Sequence, residues 1–294
     1  MTDSQDELFE SVWSRAKPAL IPLLPPMTTE QWYLLKATVK QTVVRTIVPL
    51  LERDTGLVRA YYSAGVSDLT AADTLYGAKV YALAVYHLQQ TAEKATKSLC
   101  LALGRTDKDM LLAAHRSPQP LLSLLTEEYG RTAMALASTI ADKNYRRMLK
   151  RAQSFVNSDA AGQEQLRRLP FSKNRHGPSI TVFVELADNL AKVPDQILDA
   201  ERRVKDVLIQ CLPEYEAEIR QSVVSTVAVA ALQCYVLGTI TFVHESSTRY
   251  PGGETQPSDY DGDMGIVQAI PALLERMSRM MHMVAETARE VTGQ

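Results

Sequence analysis

The stretch YALAVYHLQQTAEKATKSLCLALG, Tyr81–Gly104, decides the fold class of this chain. Its apolar residues are spaced by alternating steps of four and three, at Tyr81, Val85, Leu88, Ala92, Ala95 and Leu99. Such spacing keeps one face of a helix toward a core, and a glycine such as Gly104 commonly ends a helix. The stretch therefore predicts an amphipathic helix within a larger helical protein.

Helical periodicity covers most of the remaining sequence, and strand signals are scarce. Only Ser179–Leu186 contains a β-branched run, and it continues into a helical pattern. The patterns predict helices over Asp6–Leu24, Thr28–Glu52, a short segment ending near Gly65, Thr70–Gly104, Ser117–Val156, Val182–Gln210, Pro213–Ser246 and Ile266–Glu290. We therefore predict an all-α fold.

Charge and cysteine content argue against several classes of protein. The 294 residues carry a formal net charge of -2, so the chain as a whole has no strong attraction to nucleic acid or to an anionic membrane. Cys100, Cys211 and Cys234 form no Cys-x-x-Cys pair. This odd count predicts neither a disulfide framework nor a zinc site, and it favours a reducing, cytoplasmic location. We predict no metal site and no cofactor.

The most apolar segment, Val223–Val243, approaches the length of a membrane span. Arg220 lies just before the segment, and its polar residues are Ser225, Thr226, Gln233, Thr239 and Thr241. We therefore predict a buried core helix here and no contact with a membrane.

Three motifs follow one another along the chain: the stretch quoted above, then AAHRSPQPLLSLL, and finally STRYPGGE before the last helix. Their characteristic residues are His87, Gln90, Glu93, Lys94, His115, Arg249, Tyr250 and Pro251. In this order the motifs resemble those of the HEPN family (higher eukaryotes and prokaryotes nucleotide-binding). The resemblance extends over roughly Thr70–Tyr129 and Glu216–Glu290, and it implies an up-down helical bundle with added helices.

The resemblance also divides the chain into four parts. These are an N-terminal helical extension (1–69), the first half of the bundle (70–129), a helical insertion with a basic segment (130–215) and the second half of the bundle (216–294). The insertion is a departure from the compact family core.

For function, the resemblance implies a nucleotide- or RNA-binding module, acting beside a nucleotidyltransferase or within a defence or toxin–antitoxin system. It also implies a homodimer, because related bundles commonly pair and because the apolar helix Val223–Val243 needs to be covered on every side. A structural protein-interaction module is an alternative.

The polar residues of the first stretch lie on two neighbouring stripes of the helix. These stripes are His87, Thr91, Lys94 and Gln90, Glu93, Lys97. One hypothesis is a seam that meets a nucleotide, a base or a partner helix, with His87, Gln90 and Lys94 as the binding residues. The other is a solvated face with an ion pair between Glu93 and Lys97.

The last helix offers a candidate for catalysis. Catalytic members of the HEPN family carry Arg-x(4–6)-His there, and such a pair cleaves RNA without a metal ion. Arg276 and His282 have this spacing, but residues six apart do not share a face of a regular helix. Arg279 and His282, three apart, do. The alternative function is therefore a metal-independent ribonuclease, in which histidine moves protons and arginine holds the scissile phosphate.

Two loop motifs have both a structural and a functional interpretation. Pro251 restricts the backbone of Tyr250 and so fixes a turn, while Arg249 and Tyr250 are residue types that stack on bases. The run Asp259–Asp263 suggests a calcium loop, but it lacks the spacing and the distal glutamate of an EF-hand. We predict a solvated loop there.

The segment from Lys143 to His176 carries nine basic and two acidic residues, a formal charge of +7. Four of its cations share a helix face, namely Arg146, Arg147, Lys150 and Arg151. Such a face can grip phosphates by charge, with Tyr145 and Phe155 available for stacking. The alternative is a solvated basic helix and loop.

Overall fold

The computed structural model describes residues 3–23, 54–104, 195–213, 216–221, 224–244, 247–251 and 255–292, together with isolated positions between 26 and 40 and at 106 and 111. Its α-helices are α1 (Asp3–Leu20), α2 (Thr55–Gly77), α3 (Tyr81–Ala102), α4 (Asp195–Cys211), α5 (Glu216–Gln221), α6 (Val224–Phe242) and α7 (Gly265–Thr292). Short 3₁₀ turns, η1 (Ile21–Leu23) and η2 (Pro257–Asp259), accompany them. The predicted all-α fold is confirmed.

Helices α2 and α3 form an antiparallel hairpin. Asp54 caps α2, because its side chain accepts a hydrogen bond of 2.8 Å from the backbone N–H of Leu57. The turn after Gly77 contains Lys79 in a left-handed conformation, with φ of 59°. The predictions of a short helix ending near Gly65 and of one helix over Thr70–Gly104 were therefore wrong: α2 continues through Gly65 and crosses the predicted boundary at residue 70.

Gly65 marks a close helix contact instead of a helix end. A Cβ atom at this position would lie 3.0 Å from Cε of Met281 on α7 and 3.4 Å from Cβ of Lys94 on α3. Glycine therefore lets three helices approach one another at this point.

The main core is formed by α2, α3, α6 and α7: α3 contacts the other three helices, and α7 also contacts α2 and α6. The side chains described from Val229 to Gly238 of α6 are all buried, which confirms the prediction of a core helix at Val223–Val243. None of the helices within the described ranges combines the length and apolar character needed to cross a bilayer. Helix α7 is amphipathic and turns Ile270, Leu273, Met277, Met280, Met281 and Val284 into this core.

A second core joins α1 to α4 and its neighbours. Phe9, Trp13 and Leu20 of α1 pack with Val204 and Leu208 of α4. The sequence analysis assigned α1 to the N-terminal extension and α4 to the insertion, so these two regions bury apolar surface against each other. The four-part division of the chain stays a prediction.

Candidate functional site

Asp68 of α2 bridges two polar residues of α3. Its Oδ1 lies 2.8 Å from Nδ1 of His87, and its Oδ2 accepts a hydrogen bond from Nζ of Lys94. The Thr91 hydroxyl, on the same stripe, donates to the carbonyl of His87 at 2.9 Å. The first predicted stripe is thus held against α2 by a carboxylate that the sequence analysis did not single out.

The second stripe is a buried network. Nζ of Lys97 lies 2.5 Å from Oε1 of Glu93, and the lysine side chain is 1% exposed. Gln89 and Gln90 both donate to Oε2 of Glu93, at 3.2 and 3.3 Å. The Lys97 ammonium also lies 5.6 Å from the centroid of the Tyr61 ring. The predicted ion pair exists, but the hypothesis of a solvated face was wrong, because α2 and the bundle cover it.

Arg249 contacts α3 at Tyr86 and also contacts the ring of its neighbour Tyr250. The Arg249 guanidinium carbon lies 5.3 Å from the centroid of the Tyr86 ring and 5.2 Å from that of Tyr250. Tyr86 in turn contacts the ring of His87 edge-on, with centroids 5.2 Å apart. The first and third sequence motifs are therefore adjacent in space, and Tyr86, which the sequence analysis passed over, joins them.

The guanidinium of Arg249 lies at the protein surface. It is exposed and forms no salt bridge with any residue in the described part of the chain, in contrast to Lys94, Lys97 and Arg279, which each contact a carboxylate. The Tyr250 side chain is 59% exposed. A cation between two tyrosine rings can bind a phosphate while the rings stack on a base.

A buried cluster lies at the base of the segment that carries Arg249. Nδ1 of His244 lies 2.6 Å from the hydroxyl of Tyr260, and Ser247 Oγ lies 2.7 Å from the same hydroxyl. Burial lowers the pKa of His244 to about 3 and raises the pKa of Tyr260 to about 12, since neither charged form is solvated there. His244 is therefore a neutral imidazole at neutral pH.

Arg276 and His282 lie on different sides of α7, whereas Arg279 and His282 share its exposed face. Arg279 and His282 lie on the exposed face, where Glu275 accepts from Arg279 and Glu286 lies 3.2 Å from Nε2 of His282. Arg276 lies elsewhere around the helix, half-buried, and donates to Glu275 at 2.7 Å. Glu275 thus binds both arginines that the ribonuclease hypothesis assigns to the phosphate, and Glu286 lies beside the histidine that it assigns to proton transfer.

The acidic run Asp259–Asp263 stabilises turns. Oδ2 of Asp259 accepts from the backbone N–H of Gln256 at 2.9 Å, and Oδ1 of Asp261 accepts from the N–H groups of Asp263 and Met264 at 3.0 and 3.1 Å. Within the described ranges, no group of three or more His, Cys, Asp or Glu side chains could hold a metal ion.

Several predicted residues lie outside the described residues. They are His115 of the second motif, the cationic face of Arg146, Arg147, Lys150 and Arg151, and the rings of Tyr145 and Phe155. Their proposed contact with nucleic acid stays a prediction.

Comparison with known proteins gives one family. The model of the HEPN domain matches residues 58–145, which contain most of α2 and all of α3. No curated protein and no solved structure matches the chain. The helix that carries Arg276, Arg279 and His282 lies outside the matched residues. The resemblance to the HEPN family is therefore confirmed for residues 58–145 of this chain.

Proposed function

We propose that the chain is a nucleotide- or RNA-binding module whose contact surface consists of Arg249, Tyr250 and Tyr86. The observation that carries this proposal is the contact of the Arg249 guanidinium with the rings of Tyr86 and Tyr250, without a carboxylate partner in the described part of the chain. Guanidinium binds phosphate through several N–H donors, and tyrosine rings stack on bases of any sequence.

The other residues predicted for this site have a supporting role in the proposal. Lys94 is engaged by Asp68, and the Gln90 amide donates to Gln89 and Glu93. His87, with its side chain 27% exposed, borders the ring of Tyr86. In the proposal, Lys94, Gln90 and His87 stabilise the part of α3 that carries Tyr86, while Arg249 and Tyr250 contact the ligand.

Fluorescence anisotropy with a labelled, mixed-sequence single-stranded RNA of about twelve nucleotides tests the proposal, with unlabelled ATP as competitor. The length of the RNA is chosen because OB folds, which also stack bases on aromatic side chains, bind about 4–16 nucleotides. Arg249→Gln should weaken RNA binding about tenfold and reduce the salt slope by about one, because glutamine carries no charge to neutralise the phosphate.

Arg202→Gln is the matched control, because Arg202 is also exposed but lies on α4, where it pairs with Asp199 at 3.2 Å. Equal effects of the two substitutions would contradict the proposal. An absence of binding by the wild-type protein would favour the structural interaction module.

The finer parts of the proposal come from the family resemblance. They are an association with a nucleotidyltransferase, a role in defence or a toxin–antitoxin system, a cytoplasmic location and a homodimer. The apolar helix α6 gives the dimer little support, because the described side chains at Val229–Gly238 are already buried in one copy of the chain. Light scattering at micromolar concentration tests the dimer, and a monomeric mass would contradict it.

A further inference from the structure

The segment between α6 and α7, which carries Arg249 and Tyr250, is fastened at both ends. His244 lies two residues after the end of α6, and Tyr260 directly follows the turn η2 that precedes α7. Nδ1 of His244 and the Tyr260 hydroxyl are 2.6 Å apart, and their rings meet edge-on with centroids 5.6 Å apart. Both side chains are buried. One hydrogen bond thus closes the base of the loop.

The same hydroxyl fixes the residues just before Arg249. Ser247 Oγ lies 2.7 Å from the Tyr260 hydroxyl, and both Oγ1 and the backbone N–H of Thr248 donate to the carbonyl of His244, at 2.7 and 3.0 Å. Ser247 and Thr248 are buried, whereas Arg249, the next residue, is exposed. The backbone that leads into Arg249 therefore leaves the protein interior from a hydrogen-bonded turn.

The Tyr260 hydroxyl also connects these residues to α3, through the turn η2. The turn η2 contacts α3, which carries Tyr86. Tyr260 follows η2 directly, so its hydroxyl connects the turn at His244–Thr248 to a part of the chain that already packs on α3.

We infer that His244, Ser247 and Tyr260 are positioning residues, which hold the Arg249 guanidinium over the Tyr86 ring in the absence of any ligand. For ligand binding, this inference rests on the proposed function. Order imposed before binding lowers the entropic cost of binding. When only a fraction of molecules holds the competent arrangement, the apparent dissociation constant rises in inverse proportion to that fraction.

Fluorine NMR of protein labelled with 3-fluorotyrosine tests the positioning without a ligand. Single Tyr→Phe substitutions identify the resonances of Tyr86 and Tyr250, both of which contact the guanidinium of Arg249. Tyr260→Phe keeps the ring but removes the bridging hydroxyl, and it should move both resonances toward their positions in the Arg249→Gln protein. Ser247→Ala, a milder change, should move them in the same direction.

Tyr76→Phe is the matched control. The Tyr76 ring packs against Tyr81 with centroids 5.9 Å apart, next to the α2–α3 turn. It takes no part in the contacts described above for Tyr86, Tyr250 and Tyr260, so its hydroxyl should not influence the Tyr86 and Tyr250 resonances. Unmoved Tyr86 and Tyr250 resonances in folded Tyr260→Phe and Ser247→Ala proteins would overturn the inference. If the Tyr260→Phe protein does not fold, the Tyr86 and Tyr250 resonances of the Ser247→Ala protein alone test the inference.

The same variants, titrated with the labelled mixed-sequence RNA, separate positioning from the proposed function. Tyr260→Phe should weaken binding about tenfold, with little further weakening when it is added to Arg249→Gln, because both changes act on the same interaction with RNA. Fully additive effects would contradict positioning through Arg249. If Arg249→Gln itself leaves RNA binding unchanged, the proposed function fails, and the resonance shifts still decide the positioning role.

Discussion

The guanidinium of Arg249 lies 5.3 Å from the centroid of the Tyr86 ring, and this contact joins the segment before α7 to the N-terminal part of α3. It is a contact of a cation with a ring face, so the ring and not the phenol hydroxyl is the partner. The contact gives the surface its combination of positive charge and stacking area.

Two substitutions of Tyr86 should distinguish the contribution of its ring to RNA binding from that of its hydroxyl. We expect Tyr86→Leu to weaken binding of the mixed-sequence RNA about tenfold, because it removes one stacking platform and the support for Arg249. Tyr86→Phe keeps the ring and should bind as the wild type does. Anisotropy titrations at one salt concentration measure both. Equal affinities of the Leu and Phe proteins would count against a role for the ring.

The buried ion pair of α3 should dominate the stability of the hairpin. Lys97→Met leaves the Glu93 carboxylate without its ammonium, and we expect it to lower the free energy of unfolding by about 3–5 kcal/mol. The double variant Glu93→Gln/Lys97→Met should recover much of this stability, because no uncompensated charge remains. Urea unfolding measures these differences.

An exposed pair provides the control for that comparison. Arg220 lies 2.8 Å from Glu216 on α5, with more than half of each side chain exposed. Arg220→Met should change the free energy of unfolding by less than about 1 kcal/mol. A Lys97→Met protein that is no less stable than the Arg220→Met protein would show that the network contributes little.

The sequence predicts the helical class and the core faces well, because apolar spacing records which face is buried. Sequence-based prediction fails where a residue of another helix determines the burial or the helix boundary. Gly65 looked like a helix end, yet it allows Met281 to approach, and the real break at Lys79 contains a residue type that gives no turn signal. For the polar face of α3 the sequence left a binding seam and a solvated face both open, because Asp68 and Tyr61, which cover this face, belong to α2. His244 and Tyr260 likewise acquire a role only when the loop between them closes.

Acid should destabilise the fold through His244. The folded-state pKa of this residue is about 3, below the ordinary 6.5, because burial disfavours the imidazolium. The unfolded state therefore binds the proton more readily, so stability is complete above pH 6.5 and is lost as the pH falls toward 3. The slope should approach 1.4 kcal/mol per pH unit for this single group.

Unfolding free energies measured between pH 7 and pH 4 test this dependence. His244→Gln should be less stable than the wild type at pH 7 but should lose less stability on acidification. His282→Gln changes an exposed histidine, 68% exposed, and should keep the wild-type slope. A wild-type slope that survives in His244→Gln would assign the acid sensitivity to other groups.

The ribonuclease hypothesis makes a separate prediction for α7. If the protein cleaves RNA through Arg276 or Arg279 with His282, His282→Ala should abolish cleavage and EDTA should not. Since Glu286 holds Nε2 of His282 at 3.2 Å, Glu286→Gln should increase the cleavage rate by releasing the imidazole. Gel analysis of a mixed RNA pool measures the rates, and cleavage that persists in His282→Ala would reject this assignment.

The basic segment should contribute a measurable part of the salt dependence of RNA binding. The chain is slightly acidic overall, yet Lys143–His176 carries a formal charge of +7, and charge of one sign concentrated in this way is stabilised by an anion. Each bound phosphate releases counterions, so the affinity should fall steeply as salt rises.

Replacing Arg146, Arg147, Lys150 and Arg151 by Gln should reduce the salt slope by about one for each phosphate that the variant no longer binds. Arg249→Gln should lower it by about one independently. Circular dichroism checks that the quadruple variant is folded, and an unchanged slope in that variant would identify the segment as a solvated surface.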